Sequence, residues 1–318
     1  MSHKTGFDGR QNSRRPIELS DLDASILECA KRNSLPSPQT LARRVHSYAN
    51  RWGLELVAVL SGGEVSCCVA ATSLDGREVV LKIPRDPRAG RLESAALELW
   101  SATGASPRVI RKSNSGAYLM TRILPGHEAT PSAQPGDSER FSDLLGRMAV
   151  ATEHVRLGVY PCRLEDVVLN QRIGWMFETG IIFEPGYVWE LAHMPDAKAL
   201  LSALAATTGR PRLLHGDLQP KNILVAEAGR WQAIDPILCR GDVNAEAALW
   251  AICQQDGSLI EERIAELGVI SPLLHEGRLR AWAFVLGVAE YRLYRSEIAR
   301  RISEFTRAND YRRLMADI

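Results

Sequence analysis

The sequence predicts an α+β fold in two parts, a small strand-rich part followed by a larger part that is mainly helical. Short apolar runs separated by turn residues fill residues 54–123, whereas helical periodicity dominates from about Phe141 onward. The helical region is interrupted around residues 213–236, where apolar runs flank a polar segment. A chain of 318 residues can form one large domain with two lobes.

The elements of the strand-rich part follow one another in a regular order. They are predicted at residues 54–60, 67–73, 78–84, 91–101 (the helix), 109–110 and 117–121. An Asp75-Gly76 pair predicts the hairpin turn between the second and third strands. The strand-rich lobe therefore extends over residues 54–123, and the helical lobe over residues 124–318.

Residues 1–53 are expected to form an N-terminal extension. Residues 1–16 are polar and predict a disordered lead. Two helices follow, one at residues 20–32 and one that begins at Ser37-Pro38 and ends near Trp52.

Composition excludes several classes of function. The formal net charge is +1, so the chain lacks the basic surface of a nucleic-acid-binding protein. No apolar run approaches the roughly 20 residues that span a bilayer, and the N-terminus has no apolar signal segment. The six cysteines form no C-x-x-C pair, which favours free thiols over a disulfide or zinc framework. We expect a cytoplasmic protein that binds neither nucleic acid nor membranes.

The most informative stretch of the chain is His215-Gly216-Asp217-Leu218-Gln219-Pro220-Lys221-Asn222, which has the form H-G-D-x-x-x-x-N. A second apolar run, from Trp231 onward, ends in Asp235. Phosphoryl transfer needs one carboxylate to take the proton of the acceptor hydroxyl, and an amide and a second carboxylate to hold magnesium. We expect Asp217 to be the catalytic base and Asn222 and Asp235 to bind Mg²⁺. His215 is expected to orient the loop.

The H-G-D-x-x-x-x-N frame resembles the catalytic loop of kinase-like phosphotransferases. Together with I-D-P at residues 234–236 and Gly241-Asp242, it resembles the aminoglycoside 6-phosphotransferase and hydroxyurea phosphotransferase family. The resemblance implies a bilobal protein-kinase-like fold, with a small N-terminal β-sheet lobe and a larger, mainly helical C-terminal lobe. The chain departs from the family pattern at Gln219 (usually His), Val243 (usually Pro) and Glu246 (often Asp).

Lys82 is the candidate lysine for the nucleotide phosphates. It stands in the apolar strand V-V-L-K-I, where an ammonium group needs an anionic partner. The helix at residues 91–101 offers two glutamates as its ion-pair partner, Glu93 and Glu98. Glu93 is preferred because it shares the inward face of Leu97 and Trp100.

Two further segments are expected to contact the nucleotide. The loop at residues 61–66 could cover the phosphates through its backbone N–H groups and the hydroxyls of Ser61 or Ser66, although an ordinary hairpin loop fits equally well. The resemblance implies that the adenine pairs with the Thr121 carbonyl and the Ile123 N–H. A Walker A sequence is missing, which argues against a P-loop kinase.

The sequence therefore predicts an O-phosphotransferase that uses Mg²⁺ and ATP or GTP to phosphorylate a hydroxyl of a small molecule. The resemblance implies that this acceptor is an antibiotic, of aminoglycoside or nucleoside type, and that the protein confers resistance. A kinase of choline-like or sugar-like alcohols and a nucleotide-binding pseudokinase scaffold are the alternatives. Residues 276–318 contain nine Arg and six acidic residues, which favours a neutral or anionic acceptor over a polycationic one.

Overall fold

The computed structural model describes the backbone of most of the chain, and the expected disordered lead lies outside the described part. The described ranges are residues 19–32, 37–60, 65–129, 136–156, 162–173, 192–253, 260–290 and 297–318. The chain divides into two compact units, Met1–Asp86 and Pro87–Ile318.

The first unit contains two helices and three strands in the predicted order. They are α1 (Leu19–Arg32), α2 (Pro38–Trp52), β1 (Leu54–Val59), β2 (Ser66–Ser73) and β3 (Glu78–Pro84). Ser37 caps α2 as predicted, because its hydroxyl accepts the Thr40 N–H. Gly53, at φ 66°, ends the same helix by donating its N–H to the Ala49 carbonyl.

The three strands form an antiparallel meander, with Leu56 opposite Ala71 and Val69 opposite Leu81. Both helices pack against this sheet. The buried faces of the helices include Leu22, Ile26, Leu41 and Val45. Leu27 and Tyr48, on the same two helices, are only half-buried.

The second unit begins with α3 (Pro87–Ser101), followed by the antiparallel strands β4 (Val109–Lys112) and β5 (Tyr118–Thr121). The helix starts about one turn before the predicted start at Arg91. Proline suits the first turn of a helix because the N–H that it lacks would have no intrahelical partner there.

Most of the second unit is helical, as predicted. Its helices are α4 (Asp137–Ala151), α5 (Leu164–Asp166), a π-helix (Val167–Ile173), α6 (Met194–Ala206), α7 (Asn244–Ile252), α8 (Ile260–Ile270), α9 (Glu276–Glu290), α10 (Glu297–Ala308) and α11 (Tyr311–Ala316). Every residue of α7 is buried, and Phe141 of α4 stacks on Trp250 of α7 with ring centroids 4.4 Å apart. The core of the unit is therefore built around α7.

Five short strands interrupt the helices. They are β6 (Pro125–Glu128), β7 (Arg212–Leu214), β8 (Ile223–Ala226), β9 (Trp231–Ala233) and β10 (Cys239–Gly241). The β8–β9 hairpin pairs with β6 to form one small sheet, and β7 pairs with β10 to form another. The apolar runs predicted β7, β8 and β9, whereas β6 and β10 had no apolar signal. Among the described residues, no helix is both long and apolar enough to cross a bilayer.

Candidate functional site

Asp217 lies in the loop between β7 and β8, and two side-chain amides hold its carboxylate. Asn222 donates from Nδ2 to Oδ2 of Asp217 at 2.9 Å and to its backbone carbonyl at 2.7 Å. Gln219 donates from Nε2 to Oδ1 at 2.6 Å. Residues Pro220–Asn222 form a 3₁₀ turn, in which the Asn222 N–H donates a hydrogen bond to the Gln219 carbonyl. The two candidates from the H-G-D-x-x-x-x-N frame are therefore in direct contact.

Asp235 follows β9 and lies beside the same turn. The N–H of the preceding residue, Ile234, donates to the Asn222 carbonyl at 2.9 Å. Asp235 itself adopts φ 60°, a left-handed conformation that Asp tolerates better than most residues. The chain then turns back, and the Ile237 N–H donates to the His215 carbonyl. The structure thus places Asp235, which the sequence had in a separate run, next to the loop that carries Asp217 and Asn222.

His215 is fully buried and ties the loop to its surroundings through both ring nitrogens. Nε2 lies 2.7 Å from the Ile234 carbonyl, and Nδ1 accepts the Asp217 N–H at 3.3 Å. Because a carbonyl only accepts and an N–H only donates, the ring is the Nε2–H tautomer. It also stacks on Trp100 of α3, with centroids 5.9 Å apart. These contacts fit the orienting role expected for His215.

Gly216, between the orienting histidine and Asp217, has a conformation that suits glycine. It adopts φ 82°, and a Cβ added there would lie 3.1 Å from Sγ of Cys239 and 3.3 Å from Cβ of Ile237. Its N–H donates to Oε1 of Glu246 on α7 at 2.8 Å. Glu246 is one of the three departures from the family pattern. It is buried, so it stabilises the loop from the core side.

We expect Gly216→Ala to lower the free energy of unfolding and the phosphotransfer rate together. The left-handed conformation alone costs a non-glycine residue about 1–2 kcal/mol. The contacts with Cys239 and Ile237 add to this cost and push on the backbone of Asp217. Chemical denaturation and initial-rate assays of the variant measure the two effects.

Gly229→Ala is the matched control for this substitution. Gly229 also has a positive φ, 71°, but a Cβ there meets nothing within 4 Å. The control should show the conformational cost alone and leave the rate unchanged. Equal losses of stability in the two variants, with normal activity in both, would contradict the crowding at Gly216.

Two predicted nucleotide residues lie in the first unit. Lys82 is on β3 opposite Cys68, and its side chain is buried. Ser66 is not part of a loop but the first residue of β2, and it is also buried. Its hydroxyl lies 3.9 Å from Sγ of Cys68. The remaining phosphate-loop candidate, Ser61, lies outside the described residues.

The two glutamates of α3 differ in their surroundings. Glu93 is buried. Glu98 is exposed, and its Oε2 lies 2.5 Å from Nζ of Lys112 on β4. A buried carboxylate is the better candidate for a structural ion pair with another buried group, so the surroundings favour Glu93 over Glu98.

Thr121 and Ile123 stand at the end of β5, where the predicted adenine contacts begin. Thr121 exchanges two hydrogen bonds with the backbone of Arg108, through its own N–H and its Oγ1. Ile123 precedes a tight turn at Gly126, which adopts φ 74° and where a Cβ would lie 2.4 Å from the Ile123 carbonyl. The Thr121 N–H and hydroxyl are therefore engaged with Arg108.

Asp242, the acid of the predicted Gly-Asp pair, accepts hydrogen bonds from several elements of the second unit. Its Oδ2 accepts from Nε of Arg278 at 2.8 Å and from Nε1 of Trp282 at 2.8 Å, both on α9. Its Oδ1 accepts from Asn244 at the start of α7. Arg278 in turn donates to the Leu204 carbonyl at the end of α6. Asp242 is buried and has a structural role, connecting β10 to three helices.

A cavity of about 220 Å³ borders this cluster. Its walls include Pro211, Gly241 and Trp282. Gly241 pairs with Arg212 at the start of β7, whereas Asp217 follows the end of that strand. The cavity is therefore at the opposite end of β7 from the candidate base and is not part of the catalytic loop.

The donor set of the loop fits a hard divalent cation. With Nδ2 of Asn222 engaged by Asp217, its amide oxygen is the atom that can ligate a cation beside Asp235. The described residues contain no group of three or more His, Cys, Asp or Glu that could enclose a metal. Magnesium commonly binds through one or two protein oxygens and completes its shell with phosphate and water, so two ligands are enough.

The sequence missed the two polar neighbours that hold the loop. Gln219 and Glu246 entered the sequence argument only as departures from a family pattern. The position of Gln219 gave a weak signal, since a residue two after the base is within reach of its carboxylate. Glu246, 30 residues from Gly216, gave no local signal.

Comparisons with known proteins identify similar chains. A model of the phosphotransferase enzyme family matches residues 56–235, more than half of the chain. The hydroxyurea phosphotransferase of Kitasatospora aureofaciens is 28% identical over 244 residues, which cover 75% of this chain and 70% of that protein. The streptomycin 6-kinase of Streptomyces griseus is 30% identical over 220 residues, which cover 67% of this chain and 65% of that protein.

Among solved structures, the choline kinase LicA from Streptococcus pneumoniae is similar with a TM-score of 0.58. The two chains are 13% identical, and the match covers 87% of this chain and 98% of LicA. This similarity confirms the predicted kinase-like fold class.

Proposed function

Because this chain belongs to the phosphotransferase enzyme family, we propose that it transfers the γ-phosphoryl group of ATP or GTP to a hydroxyl of an antibiotic and so confers resistance. The chain is an enzyme that phosphorylates an alcohol group of a small molecule. The observation that carries the proposal is the hydrogen-bonded contact of Asp217 with Asn222 beside Asp235. Phosphoryl transfer needs these three groups at one place.

In the proposed reaction the acceptor hydroxyl donates a hydrogen bond to the carboxylate of Asp217. The hydroxyl oxygen forms a bond with the γ-phosphorus, and the bond from that phosphorus to the β-phosphate oxygen breaks. The hydroxyl proton passes to Asp217, and the nucleoside diphosphate leaves. The two amide donors fix the carboxylate plane, so it does not have to reorient to accept the proton.

Asn222 and Asp235 would hold Mg²⁺, which neutralises the phosphate charge when it is bound. On the nucleotide side we propose Lys82 for the phosphates, with Glu93 as its ion-pair partner. The Ser61 and Ser66 hydroxyls are proposed as phosphate donors, and the Thr121 carbonyl and Ile123 N–H as adenine contacts. Burial of Lys82 and Glu93 supports their part of this assignment, because buried charges need partners.

We propose a neutral or weakly charged acceptor before a polycationic one. The nine arginines against six acids of residues 276–318 support this preference. Two of those arginines, Arg278 and Arg280, already pair with Asp242 and Glu261. The names of the two relatives cover both classes, since one is a hydroxyurea phosphotransferase and the other a streptomycin 6-kinase.

A panel of acceptors tests the proposal. The purified protein is incubated with Mg-ATP or Mg-GTP and hydroxyurea, streptomycin, a nucleoside antibiotic or choline, and the products are identified by mass spectrometry. We expect a mass increase of one phosphoryl group on an antibiotic. Phosphorylation of choline alone would replace the antibiotic with a metabolite as the substrate, and binding of nucleotide without any turnover would indicate a scaffold.

We expect Asp235→Asn and Asn222→Ala each to reduce the stabilisation by Mg-nucleotide. A ligand at a hundred times its Kd raises the free energy of unfolding by about 2.7 kcal/mol. Loss of the negative charge of Asp235, or of the amide oxygen of Asn222, weakens the Mg-nucleotide complex, so the rise in Tm with Mg-ATP should shrink in both variants. An unchanged rise in both would remove these residues from the metal site.

We also propose that this protein is cytoplasmic and does not bind nucleic acid. Its charge and composition support both statements. The net charge of +1 gives no bulk attraction to phosphate backbones. None of the six cysteines, all within the described residues, forms a disulfide, as expected of thiols in a reducing compartment.

A further inference from the structure

Gln219 occupies a position where the resembled family usually has histidine, and it touches the proposed base. Its Nε2 donates to Oδ1 of Asp217 at 2.6 Å, and its side chain is buried. Both carboxylate oxygens only accept hydrogen bonds, so the nitrogen of the Gln219 amide must be the atom that faces Asp217. With Asn222 on Oδ2, each oxygen of the carboxylate accepts one hydrogen bond from an uncharged side chain.

We propose that Gln219 is a positioning residue that holds the Asp217 carboxylate in its reactive orientation with a donor that does not titrate. This inference rests on the proposed role of Asp217 as the base and adds a residue to that site. An amide keeps the same hydrogen bond across the whole physiological pH range. A histidine, with an ordinary pKa of about 6.5, would change its charge within that range.

The backbone of the loop supports this role. The Gln219 N–H donates to the Asp217 carbonyl at 2.8 Å, and the Gln219 carbonyl accepts the Asn222 N–H at 2.9 Å. The main chain of Gln219 thus fixes the distance between the two residues, while its side chain fixes the carboxylate.

Several other titratable groups surround this loop. His215 and Glu246 contact it directly, Lys221 lies within it and Asp235 lies beside it. The strand β6, which packs against the 3₁₀ turn, contributes His127 and Glu128. These groups are the same in the wild type and in every variant of residue 219. A difference between pH profiles therefore reports the side chain at residue 219.

Three substitutions test the proposal, with streptomycin and hydroxyurea as the acceptors. Gln219→Met keeps the length of the side chain but removes the donor, and we expect kcat/KM for the acceptor to fall about tenfold, as for one lost hydrogen bond of about 1.4 kcal/mol. Gln219→His should show an added fall of kcat/KM as the pH decreases and the imidazole becomes charged. Gln219→Glu places two carboxylates together, so one of them retains a proton near neutral pH. Its activity should therefore be low near neutral pH and recover as the pH rises.

A second measurement does not depend on the acceptor. The slow hydrolysis of Mg-ATP by water, without an acceptor, is followed by the release of inorganic phosphate. We expect kcat for this hydrolysis to fall in Gln219→Met while KM for Mg-ATP stays close to the wild-type value, because the same base would orient the attacking water. A merely structural residue would change stability without lowering kcat alone.

The outcomes separate this proposal from the proposed function. If Asp217→Asn is inactive while the residue-219 variants keep the wild-type pH profile and the wild-type kcat, only the positioning role is wrong. If Asp217→Asn keeps wild-type turnover, the base assignment itself is wrong and the inference falls with it. The rise in Tm with Mg-ATP, which depends on other residues, should be normal in all three variants and checks that each has folded.

Discussion

Asp217→Asn should lower the turnover number for acceptor phosphorylation by about 10²- to 10⁴-fold, the loss expected when a positioned general base is removed. Asparagine has nearly the same shape as aspartate, so the loop can keep its backbone contacts with Asn222. The amide cannot take the proton of the hydroxyl, and one of its two terminal atoms changes from acceptor to donor. Steady-state assays with the identified acceptor measure the effect.

The nucleotide side of the site provides the internal check for this variant. The rise in Tm with Mg-ATP should remain close to that of the wild type, because Asn222 and Asp235 are unchanged. Asp143→Asn is the matched control, since Asp143 is exposed on α4, where its carboxylate pairs with Arg147 four residues along the helix. Turnover in Asp217→Asn that approaches the control would refute the assignment of the base.

Asp242→Asn should have the largest effect on stability, a loss of about 3–5 kcal/mol in the free energy of unfolding. The substitution leaves the charge of Arg278 without its carboxylate in a place where only 14% of that side chain is exposed. It also presents an amide to the indole N–H of Trp282, which needs an acceptor. Urea denaturation of the two proteins measures the difference.

An exposed ion pair supplies the comparison for this loss. Glu304 pairs with Arg300 on α10, where more than half of each side chain is exposed. Glu304→Gln should therefore change the free energy of unfolding by less than about 1 kcal/mol. A loss in Asp242→Asn as small as that of the control would show that the buried cluster does not stabilise the second unit.

Replacing both partners separates the charge effect from the packing effect. Asp242→Leu combined with Arg278→Leu removes the uncompensated charge, so it should be less destabilising than Asp242→Asn. The cycle of single and double variants gives the coupling energy between the two residues. Independent, additive losses would mean that the two side chains stabilise the protein separately.

Local sequence determined the elements of the first unit and identified the candidate catalytic loop. Ser37 and Gly53 mark the ends of α2 because capping depends on neighbouring residues only. The turn between the second and third strands contains the Asp75-Gly76 pair that predicted it, with Gly76 at φ 79°. Asp217 and Asn222 could be identified for the same reason, since a turn of a few residues fixes the distance between them.

Local sequence did not determine β6 and β10, the burial of Glu93 or the contact of Gln219 with Asp217. Strands of three or four residues have no periodicity of their own, and they form because β8 and β7 offer them hydrogen bonds. The choice between Glu93 and Glu98 depends on which side of α3 is covered, and Lys112, fourteen residues away, pairs with Glu98.

The sequence by itself determined the chemistry of this protein, because phosphoryl transfer needs a fixed set of groups within a short segment of chain. Only the tertiary structure decided how that segment is held. Asp242 meets Arg278 across 36 residues, and Gly216 meets Glu246 across 30. Contacts of this kind depend on where distant helices pack, and no local pattern of residues records that packing.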